Sequence, residues 1–417
     1  MKRIKICACL FITLFFLTAF IIDKGDWGFF VHRRINRLAV FTLHSDIIGF
    51  YKKHIEYLTA HATDPDMRRY VVPIEGQKHF IDLDRWEAEI LPTTFREIRR
   101  LFTEIVIIDE DSDTLQIFGK NVPPKGEYNV VLKGKNFPNF FNRDSVVLLT
   151  ADYNDFFQEH IYHPQYFEKW KLNCDSIQAF FDFHGFELDC KKAYALDTFV
   201  EHGVLPYNLI RMQTTLANAM VEENLDKILR ISADMGHYIG DAHVPLHTTS
   251  NYNGQQTGQL GIHAFWETRL PEMFADDTYD FLVGQSEYIY DVHQHYWNIV
   301  NESHALVADV LDIEKALSLA YPEDQQDCFV ERGEGYIQKM ACDEYAQLYH
   351  EKLNGQVEAR FRDAIKAVGD AWYTAWVDAG QPDLQTIFDN RKIKEEIEAE
   401  KKLKDAVLSN KIMGREH

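Results

Sequence analysis

Apolar residues recur at three-and-four spacing through WGFFVHRRINRLAVFTL and SDIIGFYKKHIEYLTAH, which predicts two helices across residues 27–61. Ser45 stands where an N-cap for the second is expected. The helical pattern stops at Asp64-Pro65-Asp66, and loop is expected from there to His79 and the following HFIDLDRW. Between 104 and 150 the period changes. EIVIIDEDSDTLQIFG, NVPPKGEYNVVLKG and SVVLLTADY alternate, carry β-branched residues and are separated by Pro-Pro and Gly turns. Helices are predicted to resume around 152–200, followed by one long helix from about Pro206 to Gly240, rich in Leu, Met and Ala. Residues 284–385 return to helical spacing, with Trp372 and Trp376 on one face as expected for core packing. The run RKIKEEIEAEKKLKDAVLSNK predicts a charged, solvated helical tail within 386–417. The elements add up to a mainly α protein: a single large multi-helix domain over 27–385 with a small β-containing insertion at about 104–195. No internal repeat, P-loop or GxGxxG fingerprint interrupts it.

Composition changes this picture at two points. With 46% hydrophobic residues, 29 Phe and 20 Tyr, the chain of 417 residues can bury a sizeable core, which excludes global disorder. The net charge of −21 disfavours tight binding to a nucleic-acid duplex, although bound cations would reverse the sign locally. The first residues, MKRIKICACLFITLFFLTAFIIDKGDW, place basic residues before an apolar run from Ile6 to Ile22. Residues 1–26 therefore read as a signal peptide or an uncleaved membrane anchor, and the protein as exported: periplasmic, secreted or membrane-anchored. Beyond that segment stand Cys174, Cys190, Cys328 and Cys342. In an exported protein an even number suggests disulfides, and proximity favours 174–190 and 328–342; four buried free thiols is the alternative in a reducing space.

The candidate chemistry is concentrated between 237 and 267, in HYIGDAHVPLH and GIHAFWE. His237 and Asp241 are four apart and share a helix face; His263 and Glu267 repeat the spacing. Pro245 breaks the first helix and lets His247 turn back toward the same place. Imidazoles and carboxylates suit a borderline cation such as zinc, and two or three ligands per ion leave room for water. The competing reading, polar residues on two unrelated helices, fits poorly with five ligand-type residues in two matched pairs.

Two more segments extend the pattern: Trp27-Gly28 followed by His32, and Asp64/Asp66 followed by His79. With the 237–267 cluster, they make the chain resemble the zinc-dependent phospholipase C and S1/P1 nuclease superfamily over roughly 27–90 and 196–275. The resemblance implies a mostly helical single domain of that type, holding two to three zinc ions and hydrolysing phosphodiester bonds. It implies one ion on His79, His237, Asp241 and an aspartate of the 64–66 turn, and a second on His247, His263 and Glu267. A third would take His32, Asp241 as a bridge, and the amino and carbonyl groups of Trp27. Spacing to His79 favours Asp64 over Asp66, and the Pro-Asp context favours Asp66; Asp64 is slightly preferred. Two departures stand out. Asp26 precedes Trp27 without a clear cleavage site to free its amine, and Val31 stands where nuclease relatives often have glycine.

The implied chemistry is in-line hydrolysis by metal-activated hydroxide, with Asp64 or Asp66 as general base and no covalent intermediate. Glu267 at the last ligand position and the apolar leader lean toward a phospholipid or small phosphodiester substrate, with membrane association through the N-terminus. The rim stretch NYNGQQTGQLGIHAFWE leans toward an S1/P1-type single-strand nuclease or 3′-nucleotidase, for which single-stranded nucleic acid is the partner. A non-catalytic exported zinc-binding protein is the third reading; no protein partner is evident. Of the remaining histidines, His243 lies off the His237/Asp241 face and is expected to support rather than ligate, and His202 to cap or pack. His160, His163, His293 and His295 are expected at the surface, and Asp82 and Asp84 to be either second acceptors behind the ligands or loop charges.

Overall fold

The computed structural model describes residues 29–86, 94–118, 129–141, 143–331 and 337–389. The leader, Trp27 and residues 390–417 of the charged tail lie outside them. The protein is mainly α. In chain order its principal helices are α1 (Phe29–Ala39), α2 (Asp64–Arg68), α3 (Phe95–Phe102), α4 (Cys174–Phe183), α5 (Leu205–Val221) and α6 (Leu225–Ala242). These are followed by α7 (Val292–Ala305), α8 (Val307–Ala320), α9 (Asp343–Lys352) and α10 (Gln356–Asp378). Among the described residues no helix is long and apolar enough to cross a membrane.

The main core lies between α1, α5, α6, α7 and α10, whose apolar stripes face one another. Trp372 of α10 is fully buried, stacks on Tyr51 at 4.8 Å and donates its indole N–H to the Ser232 carbonyl at 3.2 Å. Trp376 is buried beside it, so the pair is core packing as its spacing predicts. Close approach of α1 to α6 depends on Gly236 and Gly240, one turn apart. A Cβ at 236 would run into the Asn36 carboxamide, and one at 240 would stand 2.8 Å from His32 Nδ1. Asn36 uses that space to donate to the carbonyls of Leu58 and Ala233.

Three helical expectations need correction. Asp64–Arg68, expected as the start of a loop, is the short helix α2, since Pro65 lies in its first turn, where its missing N–H has no helical partner to lose. The expected helix from Pro206 to Gly240 is two helices, α5 and α6. Glu223 has φ of +53°, and the Asn224 N–H reaches back to the Ala219 carbonyl, a Schellman ending. The Asn224 side chain then caps α6 by accepting from Lys227 N–H. One left-handed ending followed at once by a new N-cap leaves an apolar pattern running through a break. Ser45, expected as an N-cap, is instead the first residue of its helix, and its hydroxyl donates to Asp46.

The insertion is larger in β-structure than its alternation suggests. Strands β1 (Thr103–Ile108), β2 (Thr114–Phe118), β5 (Lys169–Leu172) and β6 (Lys192–Asp197) form one antiparallel sheet in the order β2-β1-β6-β5. β3 (Asn129–Leu132) and β4 (Val146–Leu149) pair separately. Thus β5 and β6 lie where helix was expected; each is short, and its strand character comes from pairing, β6 with the distant β1 and β5 with β6. The unit has its own apolar core, and Cys174–Cys190 ties α4 to the chain before β6. Its root is held by Arg99, fully buried, whose guanidinium donates to Asp197 at 2.7 Å and to the carbonyls of His163, Gln165 and Phe167. A second departure lies in 284–385, where the hairpin β7 (Asp327–Glu331) and β8 (Ile337–Ala341) interrupts the helices. Cys328–Cys342 closes it, so both expected disulfides are formed.

Replacing Gly236 by alanine tests the α1–α6 approach. Helix propensity alone predicts a gain of about 1 kcal/mol, whereas the collision with Asn36 predicts a net loss of about 1–3 kcal/mol. Urea unfolding reads the sign, and a gain would contradict the packing described.

Candidate metal centre

α6 sets the centre. Its last turns present His237 and Asp241 on one face, both buried, and α1 brings His32 across from the other side through the gap left by Gly240. His79 follows a short 3-10 turn, and its strand-like neighbours fix its height: Ile81 N–H donates to the His247 carbonyl at 2.9 Å, and Leu205 N–H to the Phe80 carbonyl at 3.1 Å. Gly203, with φ of +88°, leaves room for that approach, since a Cβ there would run into the Phe80 carbonyl. His247 turns inward on the 3-10 segment begun by Pro245, as the proline break predicts. His263 and Glu267 follow on a helical turn that widens into a π-helix over Phe265–Arg269. Pro271 has no N–H to return to the Glu267 carbonyl, which favours the wider turn there.

Two carboxylates are shared among five imidazoles. Asp241 Oδ2 lies 2.9 Å from His79 Nδ1 and 3.3 Å from His237 Nε2, while its Oδ1 lies 3.4 Å from His32 Nε2 and 3.6 Å from His247 Nε2. Glu267 Oε1 lies 3.3 Å from His32 Nε2, and its Oε2 lies 2.8 Å from His263 Nε2 and 3.6 Å from His247 Nε2. The His32–Glu267 contact joins two groups that the resemblance assigns to different ions. Asp66 completes the set at 4.0 Å from His79 and 3.9 Å from His237.

Hydrogen bonds on the far ring nitrogens orient these imidazoles. His237 Nδ1 faces the Ala62 carbonyl at 2.9 Å and His263 Nδ1 faces that of Tyr252 at 3.0 Å, which turns each Nε2 inward, toward His79 Nδ1 at 3.1 Å and Glu267 Oε2 at 2.8 Å respectively. The charges agree. Burial pushes His237 down to about 3, so it is neutral. Asp241 and Glu267 are both held below their ordinary range: burial opposes this, but the surrounding imidazoles outweigh it. His32 is pushed up to about 9, because the Glu267 hydrogen bond and the Asp241 charge overcome its burial.

Three donor sets result, His32/His237/Asp241, Asp66/His79/His237 and His247/His263/Glu267, with the donor atoms of each within 4.8 Å of one another. Ligands bound at about 2.0–2.1 Å in a tetrahedron stand about 3.3 Å apart. The contacts around Asp241 and Glu267 bracket that separation, so these residues fit a small divalent cation.

The structure separates the two aspartates of the turn. Asp66 faces the centre, whereas Asp64, the slightly preferred candidate, turns away and accepts from His61 at 2.7 Å in a half-exposed pair. Both open α2, and with successive residues about 100° apart around a helix only one can face α6. Trp27 is outside the described residues. His243 is buried, and its Nδ1 faces the Ile239 carbonyl of its own helix at 2.7 Å. His202 approaches Asp82 at 3.4 Å. Asp84 accepts from the backbone N–H and hydroxyl of Ser250 and from the Thr249 hydroxyl, and so moors the polar rim loop.

Residues not singled out by sequence spacing also serve the centre. Arg69 sits one turn after Asp66 and pairs with it at 3.4 Å. Behind His237, the Tyr238 hydroxyl donates to buried Glu75, which also accepts from Arg68 and Lys78. The spacing of Asp66 and Arg69 could have pointed to their pairing; nothing local marks Glu75. No protein-family model and no curated protein matches the chain.

Two predictions follow from this geometry. Asp66→Ala is expected to reduce metal bound at equilibrium dialysis, while Asp64→Ala leaves it unchanged; equal losses would contradict the placement. Glu75 is held down to about 2 from an ordinary 4.5: burial opposes this, but its bonds from Lys78 and Tyr238 prevail. Its contribution of about 2–3 kcal/mol is present above pH 4.5 and lost as pH falls toward 2. Glu75→Gln measured in chelator should therefore be less stable at neutral pH and lose less stability than the native chain across that interval.

Proposed function

We propose that this chain is an exported zinc-dependent phosphoric ester hydrolase, phospholipase C-like in cleaving phospholipid or small phosphodiester substrates. The observation that carries this reading is the sharing of Asp241 and Glu267 among five imidazoles, an arrangement suited to adjacent cations rather than to one closed structural site. Zinc, when bound, supplies positive charge for phosphate oxygens and acidifies water toward neutral pH. The remaining chemistry belongs to the chain. Asp66 is held less closely than Asp241 and is partly open to solvent, which suits it to take a proton as general base. Arg69 beside it can offset charge on a phosphate. Backbone carbonyls hold the rings of His237 and His263 with their Nε2 atoms turned inward and in register. Two disulfides support an oxidising compartment.

A second reading, S1/P1-type single-strand nuclease or 3′-nucleotidase, is favoured by Tyr252. It is exposed on the rim loop with its ring 6.4 Å from that of His263, where a planar base can stack.

The test uses zinc-loaded protein on bis-p-nitrophenyl phosphate, then phosphatidylcholine, single-stranded DNA and 3′-AMP in parallel. His237→Ala is expected to abolish turnover with the fold retained, and Asp66→Asn to lower it by about a hundred- to ten-thousandfold. Full zinc loading without turnover on any substrate would instead support a non-catalytic zinc protein.

A further inference from the structure

A second cleft lies where the insertion meets the helical body, and it shares no residue with the metal centre. It encloses about 720 Å³ between the start of α3, the 162–166 segment, α5 and the first turns of α7. That volume falls within the usual range for small-molecule sites, which favour junctions between packed units. Its apolar wall is aromatic. Phe95 meets Tyr166 edge-on at 4.9 Å and Tyr207 at 5.8 Å, and both tyrosines are buried.

Its polar wall is cationic. The Arg211 guanidinium lies 4.9 Å above the Tyr166 ring and donates to the Asn208 carboxamide at 3.0 Å; that of Arg96 lies 5.8 Å above Tyr162. Neither forms an ion pair with a carboxylate among the described residues, whereas Arg68, Arg99 and Arg360 each do. In a chain of net charge −21, two guanidiniums on one cleft without acidic partners among the described residues are an unusual local surplus. The one carboxylate in the lining, Glu97, accepts from the Thr94 hydroxyl at 2.7 Å. The first turn of α3 opens on the same cleft, adding the positive end of a helix dipole.

We propose that this cleft binds a small organic anion with a planar apolar body. The ring would lie against the half-buried Phe95 and Tyr162, with Tyr166 and Tyr207 packed against Phe95 beneath, and the acidic head would reach Arg96 and Arg211. A guanidinium already stacked on an aromatic face is oriented for such a head and loses little freedom on binding it. An inorganic anion would leave Phe95 and Tyr162 uncovered, and a neutral ring would leave the guanidiniums without an anionic partner.

Titration calorimetry of the full chain with naphthoate, and with neutral naphthalenemethanol as control, tests this. Saturable one-to-one binding of naphthoate is expected, equal in zinc and in chelator, with the neutral compound about tenfold or more weaker. Arg96→Gln/Arg211→Gln should weaken naphthoate by a similar factor; both side chains reach solvent, so folding should persist. Thr214→Trp, at an exposed position on the lining, should block the cleft without touching either arginine. Absent saturation, equal binding of the neutral compound, zinc-dependent binding, or wild-type affinity in the variants would each overturn the proposal.

Discussion

Burying a carboxylate among apolar helices is unfavourable unless positive charge or hydrogen-bond donors meet it from several sides, and Asp241 imposes that requirement at the centre of this bundle. Imidazoles from four segments answer it: His237 from its own helix, His32 from α1, His79 from the turn after α2, and His247 from beyond Pro245. Glu267 repeats the arrangement one step away and shares His32 and His247. Much of the bundle's geometry serves these contacts. Gly236 and Gly240 bring α1 close, Gly203 admits the His79 segment, and Ala62 orients His237 through its carbonyl.

The insertion is built on a different logic. It has a separate apolar core and joins the bundle through the buried Arg99–Asp197 pair and the carbonyls that Arg99 gathers. Removing one partner of such a pair would strand a charge, which makes the root specific as well as stable. The metal centre takes none of its residues from this unit, so cluster geometry and insertion packing can vary separately. Their junction contributes the aromatic, arginine-lined cleft instead.

Much of the centre was legible in the sequence because its spacing is local. The pairs His237/Asp241 and His263/Glu267 follow from helical geometry, and Pro245 marks the turn that returns His247. Mainly α architecture was legible for the same reason, since apolar periodicity marks helices of several turns. What depended on distant partners was not. The choice between Asp64 and Asp66 rests on which side of one helical turn meets α6. The strand character of residues 192–197 rests on pairing with β1 across a long stretch of chain, and that of residues 169–172 on pairing with 192–197 in turn. The break between α5 and α6 rests on a left-handed residue, Glu223, whose type carries little turn signal. Glu75 and Arg69 support the centre through contacts that only the folded chain brings together.

The most direct measurement is anomalous diffraction at the zinc absorption edge from crystals of the full chain grown with zinc. The account predicts adjacent peaks within bonding distance of Asp241, one beside His79 and His237 and another beside His247, His263 and Glu267. Crystals that diffract well and show no peak among these side chains, or place zinc only at surface sites, would contradict it.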